Sequence, residues 1–236
     1  VTYEREVDRM KTDFLSTAAH ELRTPLTSIE GFSELLMSRD DITEIEHTRF
    51  LSHINRQSRN LAAIISDLLD ISRIESGRGV AMVKVSSDMK KIVKDAASYF
   101  ESVSAVHRFA LDFPAEPVEL LIDPEKMEQV LGNIFSNAVK YSPGGGVIKI
   151  VGEISGDHYQ VSVEDKGIGM TPEQAEKIFD KFYRVDSSNT AVPGTGLGMS
   201  IVKHIVEAHG GTVWVESEIG KGTTVRFTIP LKSNNG

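Results

Sequence analysis

The groups in this sequence able to do chemistry fall into a few short runs. The first is Phe14-Leu15-Ser16-Thr17-Ala18-Ala19-His20-Glu21-Leu22-Arg23-Thr24-Pro25-Leu26. His20 next to Glu21 admits three readings: a plain surface histidine, a zinc ligand or a nucleophile. Zinc on a helix of this kind needs a second histidine four residues on, and that place holds Thr24. Apolar Ala18 and Leu22 lie two residues to either side of His20, so at helical spacing its ring points away from the apolar seam, into water.

Four further runs suit a nucleotide. Asn133 and Asn137 are four apart and share a helix face. Amide oxygens suit Mg²⁺, and Lys140 one turn on can meet a phosphate. Taken alone, such an asparagine pair is as often mere helix surface. Asp165-Lys166-Gly167-Ile168-Gly169-Met170 places a carboxylate where it can accept from an exocyclic amine, with glycines that let a ring approach the backbone. Alone it is a common Asp-Gly turn. Gly194-Thr195-Gly196-Leu197-Gly198-Met199-Ser200 precedes a helical pattern, and its amides can hold phosphate. It lacks the closing Gly-Lys-Ser/Thr of a P-loop and the spacing of a dinucleotide fingerprint. Phe179-Asp180-Lys181-Phe182-Tyr183-Arg184 supplies two aromatics to anchor a loop, and polar Val185–Pro193 suits a lid.

Two units must position these groups. Residues 3–38 read as one helix. From Val7 its apolar positions run Met10, Phe14, Ala18, Leu22, Pro25 and Ile29. The steps average roughly 3.7 rather than the 3.5 of a strict heptad, which relaxes a left-handed supercoil at the histidine. Pro25 leaves the Glu21 carbonyl without its helical donor, and a bend is expected there. Ser38-Arg39-Asp40-Asp41 breaks the helix and Thr43 can cap the next. That helix carries Phe50, Ile54, Gln57, Leu61, Ile64, Leu68 and Ile71 as a seam, widened by Ile65 and Leu69, and ends at Gly77 or Gly79. A helical hairpin leaves a long apolar face open, so a second copy completing a four-helix bundle is expected: a homodimer through residues 1–78.

Residues 79–236 change period. Val83 and Val85 suggest a short strand, and Ser87 a cap for a helix carrying Met89 to Phe100. Strands are expected at Phe109–Phe113, Val118–Ile122, Val147–Glu153 and Tyr159–Asp165. Asp123-Pro124 opens a helix. Further helices are expected over 172–180 and 199–209, and a closing hairpin turns at Gly220-Lys221-Gly222. Such mixed elements give an α+β sandwich, with helices over one face of a mixed sheet. Ser233–Gly236 reads as a frayed tail.

Composition narrows the partners. Of 236 residues 40% are hydrophobic and 25% charged, which is ordinary for a globular chain. A net charge of −8 without a basic tract argues against nucleic acid. With no cysteine, disulfides and thiolate metal sites are excluded. No apolar run approaches the roughly 20 residues that span a bilayer, so no membrane contact is expected of this stretch. The opening Val1-Thr2-Tyr3-Glu4-Arg5 shows no signal peptide and starts in mid-helix, as a piece of something longer would.

In this order and spacing the runs resemble sensor histidine kinases. His20-Glu21-x-x-Thr24-Pro25 resembles their phospho-acceptor box. The Asn133–Tyr141, Asp165–Gly169, Phe179–Arg184, Gly194–Gly198 and Gly220–Thr223 runs resemble the boxes of their ATP-binding domain, and the likeness spans about residues 10–231. It implies a two-domain chain, α followed by α/β, with a Bergerat-type ATP fold. Asp165 would meet adenine. Asn137, with Asn133, would hold Mg²⁺. Lys140, Tyr141, Gly167, Gly169, Phe182, Arg184 and Thr223 would line the site, and Gly194, Thr195, Gly196, Leu197 and Gly198 would surround the phosphates. Related ATPases carry a water-activating glutamate where this chain has Asn133, so the γ-phosphate should await another nucleophile. The resemblance implies a cytoplasmic kinase core. ATP would phosphorylate His20, with Glu21 orienting the ring and taking its proton. The phosphoryl group would then pass to an aspartate of a response-regulator receiver domain. The Glu21-x-x-Thr24 pattern resembles that of members with phosphatase activity. Many family lids carry basic residues before the glycines, whereas Ser187–Pro193 has none; Arg184 or Lys181 can substitute. An ATP hydrolase of the same fold and a non-catalytic dimeric scaffold stand as alternatives.

Overall fold

The computed structural model describes residues 2–39, 41–77, 79–184 and 196–231, with side chains from residue 16 onward. The expectations for Val7, Met10, Phe14, Leu15, Asp40, Val185–Pro193, Gly194, Thr195 and Ser233–Gly236 lie outside what is described.

Two long helices form a stem. Helix α1 (Thr2–Ser38) runs through Pro25 without interruption, and α2 spans Glu44–Glu75. Thr43 caps α2 in a full capping box: its hydroxyl receives the Glu46 N–H, and the Glu46 carboxylate accepts from the Thr43 N–H at 3.1 Å. The helices are antiparallel, with Phe32 against Phe50 at 5.4 Å and stacked on His53 at 4.9 Å. Ala18, Pro25, Phe50 and Ile71 are buried along the expected seam, and Leu22, Ile29, Ile54, Gln57, Leu61 and Ile64 are half-buried. Gly77, at φ 70°, follows the Ser76 C-cap.

The rest is a lobe. A five-stranded mixed sheet has the order β2-β4-β5-β7-β6, made of β2 (His107–Asp112), β4 (Gly146–Ser155), β5 (His158–Asp165), β6 (Val213–Glu218) and β7 (Gly222–Pro230). Only β2–β4 pair in parallel. Strands β1 (Val85–Asp88) and β3 (Glu119–Ile122) form a separate antiparallel ribbon. Helices α3 (Met89–Val103), α4 (Pro124–Lys140) and α6 (Gly198–Ala208) cover one sheet face, and α5 (Pro172–Lys177) is short. Between them Phe135, Leu131, Ile134, Ile148, Ile150, Tyr159, Phe227 and Ile205 are fully buried.

Three expectations shift. The α3 cap is Asp88 rather than Ser87, because pairing with β3 carries the strand through Asp88↔Glu119 before the chain turns. Val83 stays outside β1 and donates its N–H to Asp123 at 2.6 Å. Helix α5 ends at Lys177 rather than 180, where Ile178, Phe179 and Phe182 turn onto the core.

Asp123 ties the lobe together. It caps α4 through the Lys126 N–H, holds Val83, and gives its own N–H to His209 Nε2 at 3.0 Å. His209 donates from Nδ1 to the Ile205 carbonyl, and burial holds its pKa below the usual range. His209 is thus a buried neutral bracket between α6 and α4.

Candidate functional site

Asp165 ends β5 and lies at the foot of a pocket lined by Ile134, Asn137, Ala138, Tyr141, Gly169, Met199 and Thr223, among others. Its Oδ1 accepts the Gly167 N–H at 2.8 Å and the Thr223 N–H at 3.3 Å, with the Ser142 hydroxyl at 3.5 Å. Burial pushes the Asp165 carboxyl up, and those hydrogen bonds oppose the rise. The result is an oriented acceptor at the base of an apolar slot, which suits a flat heterocycle bearing an amino group.

The turn after Asp165 is tightly held. Ile168 donates to the Tyr141 carbonyl and Gly220 to the Ile168 carbonyl. Gly169 takes φ 67°, and a Cβ there would strike the Glu218 carbonyl, so only glycine fits.

On α4 the site residues divide. Asn137 faces the pocket with Asp165. Asn133 is one turn earlier, and its Nδ2 is buried without a partner among the described residues. A Cβ on Gly198, the first residue of α6, would lie 2.9 Å from Asn133 Oδ1, so this helix N-terminus abuts the amide. A desolvated donor beside a helix N-terminus suits a phosphate oxygen, and the amide oxygens suit a magnesium ion carried with it. Among the described residues, no group of three acidic or histidine side chains could hold a metal ion.

Lys140 and Tyr141 close the C-terminal end of α4. The Lys140 ammonium is pushed down to about 8, chiefly by burial and then by Arg184, while Glu21 opposes the fall. Arg184 also acts electrostatically on Tyr141. Gly196, at φ 74°, lies over the Phe182–Arg184 segment, with the Arg184 side chain beside it. Phe182 itself holds φ 67° with its ring packed on the core. A left-handed backbone at a bulky residue costs of order 1–3 kcal/mol and persists only where packing enforces it. Leu197 is fully buried and contributes packing.

The sequence reading overlooked Ser142, a third partner for Asp165. Its signal was its place directly after Tyr141. It also overlooked the apolar walls formed by Ile168, Met170, Ile178, Val215 and Val225.

On the stem, His20 is exposed, as its position off the seam required. Glu21 is half-buried. Thr24 is exposed one turn on, its hydroxyl donating to the His20 carbonyl at 3.1 Å. Glu21 comes near enough to act on the Lys140 charge, so α1 and the end of α4 lie within electrostatic reach of one another in one chain.

Comparison with known proteins agrees with both halves. Residues 10–77 match the His Kinase A (phospho-acceptor) domain, and residues 122–233 match the histidine kinase-, DNA gyrase B- and HSP90-like ATPase family. Sensor histidine kinase WalK of Bacillus subtilis (strain 168) is 35% identical over 98% of this chain. Hybrid signal transduction histidine kinase D of Dictyostelium discoideum is 37% identical over 98%. The chain spans 38% of the first and 15% of the second. Among solved structures, the Acinetobacter baumannii histidine kinase AdeS superposes with a TM-score of 0.61 at 25% identity, covering 91% of this chain and 98% of that one. A nucleotide-free catalytic domain of histidine kinase ThkA gives 0.55 at 30% identity, covering 64% and 99%. The stem matches a phospho-acceptor domain and the lobe an ATPase domain, and the relatives over nearly the whole chain are of one family: this chain belongs to the sensor histidine kinases and carries their phospho-acceptor and ATP-binding regions.

Proposed function

We propose that this chain is an ATP-dependent protein histidine kinase that phosphorylates itself on His20. The observation that carries this reading is the pairing of an exposed imidazole with Asn133. The first is accessible to an incoming phosphate. The second stands where a hydrolase needs a base, and an amide cannot activate water.

In the reaction a neutral His20 ring nitrogen attacks the γ-phosphorus, the bond to the β–γ bridging oxygen breaks, and ADP leaves. Glu21 orients the ring and takes its proton. Asp165 receives the adenine amino group, and the α6 N-terminus with the Asn133 amide meets the phosphates. Magnesium held by Asn137 and Asn133 would supply positive charge there. Exposure of His20 then lets an aspartate of a response-regulator receiver domain take the phosphoryl group. Thr24, exposed one turn away, would act on that partner's phospho-aspartate, in keeping with the Glu21-x-x-Thr24 pattern.

The functional unit is a homodimer through the stem. Leu26, Leu35, Leu51, Ile65 and Leu69 are 38–56% exposed in a single chain, more apolar surface than a stem should leave in water. Among the described residues no helix is long and apolar enough to cross a membrane. We assign the core to the cytoplasm, where ATP and a receiver domain are found together.

The test is incubation of wild type and His20→Gln with γ-labelled ATP. Wild type should gain an acid-labile, base-stable label and His20→Gln none. Label on both proteins, or rapid phosphate release with no labelled protein, would overturn the reading, the latter in favour of a hydrolase.

A further inference from the structure

His107 is a buried histidine to which the proposed reaction gives no part. It opens β2 and stands behind the nucleotide slot, not in its lining. Nε2 lies 3.0 Å from the Ser142 carbonyl and Nδ1 2.6 Å from the Ser104 hydroxyl. A carbonyl can only accept, so Nε2 is a donor. Burying an imidazole is costly unless its nitrogens find partners, and here each has one.

The partner at Nε2 leads to the site. Tyr141 is the C-cap of α4, and Ser142-Pro143-Gly144-Gly145 is the turn that follows, closed by the Gly145 N–H on the Ser142 carbonyl at 2.9 Å. Gly146 then donates to the Val106 carbonyl at 2.9 Å and enters β4. A Cβ on Gly145 would lie 2.5 Å from that same carbonyl, so the turn sits close on the start of β2. These backbone ties fix the far end of the turn. At its near end the His107 ring ties Ser142 to β2.

The buried Ser142 hydroxyl donates to Asp165 Oδ1 at 3.5 Å. The Gly167 and Thr223 amides reach the same oxygen at 2.8 Å and 3.3 Å. All three donors thus fall on Oδ1, and Oδ2 is left as the acceptor for a ligand. They come from the end of α4, the turn after β5 and the start of β7, and together they set the plane of the carboxylate. The Ser142 bond is at the outer limit of a hydrogen bond, so a shift of a few tenths of an ångström ends it.

We propose that His107 is a positioning residue for nucleotide choice: it holds Ser142 so that Asp165 presents Oδ2 to the amino group of adenine. Without the His107 donor Ser142 is freed from β2, Asp165 turns about its side-chain bonds, and the acceptor is no longer aimed. A site built to hydrogen-bond one group rejects an analogue without it. Loss of aim therefore shows in the choice between two such ligands, not in affinity for the rest of the nucleotide.

This rests on the reading that Asp165 receives the adenine amino group, and the experiment separates the two. The full chain is titrated by calorimetry with ATP and with purine riboside triphosphate, which has hydrogen in place of the amino group. Wild type should favour ATP. His107→Leu should reduce that preference on the order of ten-fold, almost wholly through ATP, with the rate of His20 labelling at saturating ATP unchanged. His107→Gln, whose side-chain amide can donate to the Ser142 carbonyl, should restore most of it. Ser142→Ala should match His107→Leu, and the two together should lose no more than either alone, since they act on one path. Should His107→Leu fail to fold, Ser104→Ala removes the partner at Nδ1, keeps the ring, and carries the same expectation at smaller size. Equal losses for both ligands, a preference unchanged in folded variants, or additive losses overturn the role of His107. A wild type that binds the two triphosphates alike overturns the placement of adenine at Asp165, and the role of His107 with it.

Discussion

Stem and lobe hold their chemistry in opposite ways. The stem carries its reactive group on the outside, on a helix with few buried side chains, and His20 stands in water. The lobe carries its groups inside, and Asp165 sits beneath an apolar slot backed by a continuous core. The proposed reaction accounts for the difference. A phospho-acceptor has to meet two macromolecular surfaces in turn, so burial would defeat it. A nucleotide has to be stripped of competing water, so its contacts are prepared in advance. The stem can therefore tolerate much along its exposed faces, whereas the lobe should be intolerant of small changes.

That contrast can be broken first at Phe135. It is fully buried and packs edge-on against Phe100 at 5.9 Å and against Phe109 at 5.1 Å. Phe135→Ala should cost about 3–5 kcal/mol and abolish nucleotide binding with it. Leu35→Ala, at a 38% exposed stem position, should leave nucleotide binding intact. Chemical denaturation and nucleotide titration check both, and equal losses would refute a self-contained lobe. A step down in size is Asp165→Asn. It keeps the shape but replaces a charged acceptor held by the Gly167 and Thr223 amides with one half of which is a donor. ATP affinity should fall by about 1.5–3 kcal/mol while the fold persists, since the lost bond is one to a charged group. Unaltered ATP affinity by calorimetry would move adenine out of this pocket.

The parts legible in the sequence share a property: their determinants lie within a few residues of one another. Thr43 and Asp123 read as caps because capping is local, and both cap as expected. The exposure of His20 followed from the spacing of its apolar neighbours. What escaped was non-local. Strand β1 pairs with β3 across more than thirty residues, which drew Asp88 into the strand and moved the α3 cap by one position. Ser142 became a partner of Asp165 only when the end of α4 met the end of β5. Lys126 and Gln129 cover Asp70 and Asp67, and nothing within α2 announces those partners.

Asp67 offers the finest test of where stem ends and lobe begins. Burial pushes its carboxyl up from an ordinary 3.8 to about 6, and Asp70 adds to the rise. The Gln129 hydrogen bond and the Lys126 charge act against it. The sign follows directly. A carboxyl raised on folding binds its proton more tightly in the folded chain, so it favours the folded state below about 4 and loses that advantage as the pH climbs through about 6. Unfolding free energy should therefore decline across this window. The full span corresponds to at most about 3 kcal/mol, and partial contact with solvent reduces it to about 1–2 kcal/mol. Asn at this position can still accept from Gln129 but has no charge to desolvate. Asp67→Asn should thus match wild type near pH 4 and exceed it at pH 8 by that same amount, read from urea melts. If the slope survives in Asp67→Asn, another group is its source. If it appears only in the transition that unfolds the lobe, the end of α2 melts with the lobe and not with the stem.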